Sequence, residues 1–257
     1  MPLPIEWHGL KGVGEGDFRN QRIIVQVWLH TRIGKFFDKT SKTEKKAGYM
    51  NVKTIQVGVL EVNSYLVYHE NSEDAFLIDP GADAEQIRET VRQCGKQIKA
   101  VLLTHGHVDH IGALPELAAD GHVPVFLHAD DVRLYHSPDN AITGLISAVS
   151  GLPETRDDFL ENFPDAPRVL HTPGHTPGSV CFYFQQEGIL FSGDTLFCQS
   201  VGRTDLPGGS SERMAESLDN KIIPLPEEVS VYPGHGPSTS VGTERTRNTL
   251  LKKLVSA

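Results

Sequence analysis

Three imidazoles and a carboxylate fall within six residues at His105-Gly106-His107-Val108-Asp109-His110, directly after the apolar run Ile98 to Leu103. Imidazole nitrogen and carboxylate oxygen are the donors that divalent cations take, and Zn²⁺ accepts both. A lone histidine reads as a hydrogen-bonded side chain, whereas this density reads as metal ligation. Three further loops share one construction, in which an apolar strand ends and a His or Asp appears beside Gly or Pro. They carry His175 in Thr172-Pro173-Gly174-His175-Thr176-Pro177-Gly178, Asp194 in Ser192-Gly193-Asp194, and His235 in Pro233-Gly234-His235-Gly236. Each alone is ordinary turn chemistry. Strand ends from one sheet region converge, so together they describe a single constellation held by loops on a rigid scaffold.

The elements that must position these loops follow from residue patterning. Val52–Val57 and Ser64–His69 are rich in β-branched and aromatic residues and read as a strand pair. Ala75–Ile78 is a third strand, ending in Asp79-Pro80-Gly81. Asp83 is placed to cap a helix running to about Cys94, with Gly95 as its stop signal. Ile98–Leu103 is the strand that delivers the histidine cluster. Ile111, Leu114 and Leu117 have helical spacing, so a helix is expected to begin near Asp109, its amino-terminal dipole favouring an ionised carboxylate. Strand Val123–Leu127 and a helix from about Asp130 continue the alternation. Residues 137–166 carry repeated Pro and Gly around a helical candidate, Ala141–Val149, and suit a lid or insertion over a site. Beyond them come strand Arg168–His171, a hairpin of Val180–Phe184 with Ile189–Phe191 about Glu187-Gly188, a helix over Glu212–Ile222, strand Val229–Tyr232 and a last amphipathic helix over Glu244–Val255.

Composition bounds the remaining readings. With 257 residues, 39% of them hydrophobic, the chain holds enough material for a substantial core. The net charge of −9 argues against a dedicated phosphate-binding surface and demotes nucleases. Cys94, Cys181 and Cys198 are widely spaced, which suggests neither a disulfide framework nor a thiolate zinc site and points to a reducing compartment. No apolar run is long enough to span a bilayer and no cleavable leader pattern opens the chain, so a cytoplasmic protein without a membrane partner is expected. Residues 1–49 are net basic, while the remainder carries more excess acid than the whole chain. This stretch holds Gly-rich and Lys-rich pieces around one apolar segment, Ile23–Leu29, and regular patterning begins after Met50. It reads as a weakly ordered appendage or as sequence upstream of a start at Met50; a targeting peptide fits less well, because such peptides are Ser-rich and acid-poor.

In the order and spacing of Asp79, His105-x-His107-x-Asp109-His110, His175, Asp194 and His235, residues 50–257 resemble the metallo-β-lactamase-fold hydrolases. Asp194-Thr195-Leu196-Phe197 and Ser200-Val201-Gly202-Arg203-Thr204-Asp205-Leu206-Pro207-Gly208-Gly209 are similar to segments of the single-domain glyoxalase II-like branch. The resemblance implies an α/β fold, a four-layer αββα sandwich with two metals at one edge of the paired sheets. By position, one metal takes His105, His107 and His175, a second takes Asp109, His110 and His235, and Asp194 bridges them. Asp79 would orient a ligand without binding metal itself. Two departures, Ser210 and Thr249 in place of the usual acid and proline, touch no expected ligand. Only a short tail follows His235, where glyoxalase II proper carries a helical domain that helps to hold glutathione.

The implied chemistry is hydrolysis of an S-acylglutathione-type thioester by hydroxide held between two divalent ions, most simply zinc, with iron or manganese as alternatives. Asp109 and Asp194 are the expected catalytic carboxylates, fixing the site's geometry and charge, with Asp109 also moving a proton. Rival readings are a mononuclear iron persulfide dioxygenase using His105, His175 and Asp194, and a lactonase or phosphodiesterase on the same scaffold. The expected partner is a small molecule, with no nucleic acid, and the protein is a monomer or small homo-oligomer. His69, His122, His128, His136 and His171 read as ordinary packed or exposed histidines. Cys198 reads as a small apolar side chain. Arg203 and Asp205 read either as substrate contacts or as an ion pair bracing their loop.

Overall fold

A computed structural model describes residues 49–118, 121–142 and 144–256. Residues 48–257 form one compact unit. The extension expected over residues 1–49, with its apolar segment Ile23–Leu29, lies outside the described residues except for Tyr49. The first sheet contains β1 (Met50–Val57), β2 (Val62–His69), β3 (Asp74–Ile78), β4 (Gln97–Leu102), β5 (Val125–Phe126) and β6 (Thr155–Arg156), neighbours in space as in sequence. Pairing is antiparallel as far as β3 and parallel from there to β6. The second sheet takes β7 (Arg168–His171), β8 (Val180–Phe184) and β9 (Ile189–Gly193). After a separate ribbon of β10 (Leu196–Phe197) and β11 (Ser200–Val201), β12 (Ser230–Pro233) joins β9 in parallel and β13 (Thr239–Ser240) closes the edge.

Alternation along the strands sets the layering. On β2 and β3, Tyr65, Val67, Phe76 and Ile78 face the same cluster as Val180, Phe182, Phe184 and Phe191 of the second sheet, which makes the seam between the sheets. Their neighbours Leu66 and Leu77 point the other way, into a cluster with Ile87 and Val91 of helix α1 (Ala84–Gln93) and with Ile111 and Leu114 from the short helices α2 (Val108–Ile111) and α3 (Leu114–Leu117). After α4 (Val132–Tyr135), the opposite outer layer is built from α5 (Ser211–Ser217), α6 (Val241–Arg247) and α7 (Thr249–Val255). There Met214, Val241 and Leu251 pack on Cys181, Tyr183, Leu190 and Val231. The expected αββα sandwich is therefore present. Both faces of the central strands are covered, which is why they read as nearly continuous apolar runs.

Four expected local features differ, each for an identifiable reason. Asp83 occupies the cap position of α1, but its carboxylate accepts from the Gly58 amide (2.8 Å) and not from the helix. The helix expected through Asp109, Ile111, Leu114 and Leu117 is two short pieces, because the Ala113 amide is drawn to the Pro80 carbonyl (3.0 Å). Ala141–Val149 is not a helix. Asn140 accepts from the Val149 amide (3.3 Å) and donates to the Val149 carbonyl (3.3 Å) and the Tyr135 carbonyl (2.9 Å), folding the segment into a loop with its own partners. The last helix breaks at Asn248, whose side chain accepts from the Leu251 amide (2.9 Å), capping α7, and donates to Glu244 (2.9 Å).

Candidate metal centre

The four strand ends meet at one edge of the two sheets. β4 leads into His105, β7 into His175, β9 into Asp194 and β12 into His235. The side chains that converge are His105, His107 and His175, next to Asp109, His110 and His235, with Asp194 against both sets. Asp194 Oδ2 lies 3.6 Å from His175 Nε2 and 3.8 Å from His235 Nε2, while its Oδ1 is 3.4 Å from His110 Nε2. Asp109 Oδ2 stands 3.4 Å from His235 Nε2 and 3.8 Å from His110 Nε2. The seven residues expected as metal ligands all lie in this cluster.

Hydrogen bonds outside the cluster fix which nitrogen each imidazole turns inward. The Nδ1 atoms of His110, His175 and His235 face Asp79 (2.9 Å), the Arg203 carbonyl (2.8 Å) and the Leu60 carbonyl (3.1 Å). His105 Nδ1 faces Thr104 Oγ1 (3.1 Å). Each of these rings therefore presents Nε2 to the centre. His107 differs, presenting Nδ1, which lies 3.0 Å from His175 Nε2.

Asp79 accepts from the Thr104 amide (2.7 Å) and from Thr104 Oγ1 (2.7 Å) as well as meeting His110. It thus orients one ring directly and, through Thr104, a second. It does so from a left-handed backbone conformation, φ 47°. The glycines beside it permit the close approach: a Cβ at Gly81 would stand 1.6 Å from the Asp109 carbonyl oxygen, and one at Gly234 would stand 2.3 Å from Asp194 Oδ1.

Four buried polar atoms in this cluster, His105 Nε2, Asp109 Oδ1, His110 Nε2 and Asp194 Oδ1, have no hydrogen-bond partner. Unsatisfied buried donors and acceptors are rare and each is costly, so their gathering at one point fits cations as the missing partners. Protonation points the same way. Burial and the neighbouring imidazoles push His105 well below the usual histidine range and His107 down to about 4. Although burial opposes ionisation, His110 holds Asp109 below and Asp194 well below the usual carboxylate range. Against the pull of burial, Asp109 and Asp194 in turn hold His110 well above the usual histidine range and His235 above it, so neutral His105 and His107 offer lone pairs directly, whereas a cation at His110 and His235 would take the place of their protons.

Residues with no motif of their own complete the site. Buried Asp131 accepts from the Gly106 amide (2.9 Å), Thr176 Oγ1 (2.7 Å) and the Gly178 amide (2.6 Å), so one carboxylate ties the His105–His107 turn to the His175 loop. Asn63 donates to the Pro233 (3.1 Å) and Gly236 (2.8 Å) carbonyls, and Tyr65 to Pro233 (2.7 Å), anchoring the His235 turn to β2. No sequence spacing announces these struts, since their partners are main-chain groups far along the chain. A third grouping, His128, Asp130 and His171, is different in kind. The two rings stack at 3.9 Å, His128 Nδ1 accepts from the Asp130 amide and His171 Nε2 meets the Pro177 carbonyl (2.9 Å), so the ring nitrogens nearest Asp130 already have partners. Both read as packed histidines, as expected.

A pocket of about 400 Å³ opens over the centre, walled by Leu60, Ile142, Phe197 and Leu206 and bordered by Arg203. Ile142 and Leu145 bring the 137–166 insertion to its rim. Arg203 forms a two-pronged ion pair with Asp205 (2.7 and 2.9 Å) on the surface. Among the described residues, no helix is long and apolar enough to cross a membrane.

Residues 57–235 match the family model described as the metallo-beta-lactamase superfamily. The chain is 34% identical to the probable metallo-hydrolase YqgX of Bacillus subtilis, over 79% of this chain and 98% of that protein. It is 33% identical to the hydroxyacylglutathione hydrolase GloC of Haemophilus influenzae, over 79% and 98%. Among solved structures it is similar to TTHA1623 in a di-iron-bound form, with 39% identity, a TM-score of 0.69, and coverage of 77% of this chain and 99% of that one.

Proposed function

The chain belongs to the metallo-beta-lactamase superfamily and is a metal-dependent hydrolase, and from that premise we propose that it is a binuclear thioesterase acting on S-acylglutathione-type substrates. The observation that carries the binuclear reading is Asp194, whose carboxylate stands within 3.8 Å of His110, His175 and His235 together. His105, His107 and His175 would hold one ion, Asp109, His110 and His235 the other, and Asp194 would touch both. When bound, such ions lower the pKa of a coordinated water and polarise a carbonyl.

The chain's own residues do the rest. Asp109 and Asp194 set the net charge of the site, and Asp109, with Oδ2 facing His235, stands where it can take up a proton released by water. Leu60, Phe197 and Leu206 keep bulk solvent from the reacting carbonyl. Arg203, the one cation bordering either the metal pocket or the cleft next to it among the described residues, is placed to meet a carboxylate of the thiol half. The likeness to the hydroxyacylglutathione hydrolase GloC supports this substrate class.

Iron is as good a candidate as zinc, given the di-iron form of TTHA1623. A mononuclear oxygenase using His105, His175 and Asp194 alone would leave Asp109, His110 and His235 gathered without a role, and His110 Nε2 and Asp109 Oδ1 buried without partners. The test is to count zinc, iron and manganese in the purified full chain and to assay S-lactoylglutathione beside a lactone and a phosphodiester. Two ions per chain with thioester turnover is the expected result. One iron per chain, oxygen uptake on glutathione persulfide and no thioesterase activity would overturn it.

A further inference from the structure

Next to the metal pocket lies a larger cleft, of about 630 Å³, whose walls include Val57, Val62, Val108, Ala113, Ile146 and Val149. Leu60, Asp109 and Leu145 border both spaces, so the cleft lies directly against the metal pocket, with the expected ligand Asp109 in its wall. Its volume is that of a small-molecule site. Two large apolar side chains left exposed, Val59 at 77% and Leu145 at 60%, stand at its mouth. Exposed apolar surface around an apolar cleft is a feature of ligand sites.

The charges divide the two spaces. The ionisable residues lining the cleft are Asp83, Asp109 and Glu116, all acidic, whereas Arg203 borders the metal pocket and not the cleft. A thioester of glutathione is polar and anionic at its thiol end and can be wholly apolar at its acyl end. Carboxylates of the thiol half are drawn towards Arg203 and repelled by Asp83 and Glu116, and the cleft lining has no Lys or Arg to offset their desolvation. An aliphatic chain placed there loses nothing polar and gains apolar contact.

We propose that this cleft receives the acyl chain of the substrate, making the enzyme selective for thioesters of unsubstituted aliphatic acids over the hydroxylated, shorter lactoyl group. The inference rests on the thioesterase reading. Water adds to the acyl carbonyl, the C–S bond breaks, and the products are the carboxylic acid and the thiol, the proton lost by water balancing that gained by the thiolate. Each buried methylene multiplies binding by up to about fourfold, so a hexanoyl chain that enters the cleft is distinguished from lactoyl by tenfold or more.

The experiment compares kcat/KM for S-hexanoylglutathione and S-lactoylglutathione on the metal-loaded full chain. Calorimetry in parallel follows S-hexylglutathione and S-methylglutathione, thioethers that cannot be hydrolysed. Ala148→Trp fills the cleft from an exposed position, and Val59→Glu places a carboxylate at its mouth and serves if the first variant does not fold. A hexanoyl preference of about tenfold or more, at least fivefold smaller in either variant, with S-hexylglutathione bound more tightly than S-methylglutathione, is the expected result. Equal or better turnover of the lactoyl ester, a preference unmoved by both substitutions, or equal binding of the two thioethers would overturn the cleft assignment while leaving the thioesterase standing. Turnover of neither thioester would remove the thioesterase reading and this inference with it.

Discussion

His107 Nδ1 and His175 Nε2 stand 3.0 Å apart, in a cluster where the other histidines turn Nδ1 outward. His175 Nδ1 donates to the Arg203 carbonyl at 2.8 Å, which turns Nε2 into the cluster. Burial and the adjacent His175 push His107 down to about 4, so the His107 ring is neutral at ordinary pH. These two rings and the unpartnered His105 Nε2, all within 4.8 Å of one another, would together hold one cation.

His107→Ala removes one of those three donors. The expected outcome is loss of about one of the two ions per chain and a fall in thioester turnover of at least a hundredfold, with the circular dichroism of the fold retained. Metal analysis after exhaustive dialysis checks the first expectation and single-substrate kinetics the second. A chelator applied to the unaltered protein should abolish turnover, and Fe(II) or Zn(II) should restore it.

Asp79→Asn keeps the shape of the side chain, and Asn tolerates the left-handed backbone found here. What it loses is the carboxylate that faces both His110 Nδ1 and Thr104 Oγ1. Losing an orienting partner of a ligand histidine typically costs 10- to 100-fold in metal affinity or activity. Chelator competition should therefore show that loss in affinity with only a small change in Tm.

Asp131→Ala leaves the Gly106 and Gly178 amides and the Thr176 hydroxyl without their acceptor in a buried setting. Each buried donor left unsatisfied costs about 1–3 kcal/mol. Destabilisation of about 3 kcal/mol or more is expected, read as a lower urea midpoint with an unchanged m-value. Metal affinity should fall as well, because the turns bearing His105, His107 and His175 are no longer tied together.

Arg203→Ala tests the carboxylate contact. Its ion pair with Asp205 is largely exposed, so the loss in folding stability should be under about 1 kcal/mol. If the guanidinium meets a carboxylate of the thiol half, KM for S-lactoylglutathione should rise about tenfold with little change in kcat, the pattern of lost uniform binding. The same substitution should leave turnover of an uncharged thioester within about twofold.

Much of this centre could be read from the chain because its ligands lie at strand ends, and strand ends are marked by apolar runs stopping at Gly and Pro. The boundaries of β7 and β8 and the hairpin of β8 with β9 follow from local patterning alone. Helix lengths fared worse. The Asp109 helix and the final helix both carry good periodicity, yet a carbonyl at Pro80 and the side chain of Asn248 divert amides that the helical ladder would have used. Ala141–Val149 failed for the same reason, with Asn140 supplying the competing partner.

Ligand types, their grouping in four loops and the apolar strands that carry them are written in the chain itself, because donor chemistry and hydrophobic patterning are local properties. Tertiary structure decided which nitrogen of each ring faces inward, that Asp194 stands against both triads, and that Asp131 and Asn63 brace loops distant from them. It also placed an apolar cleft beside the metal pocket, out of the β1–β2 turn, the Gly81 loop and the 145–149 segment. These depend on contacts between residues far apart in the chain, where no local spacing carries the signal.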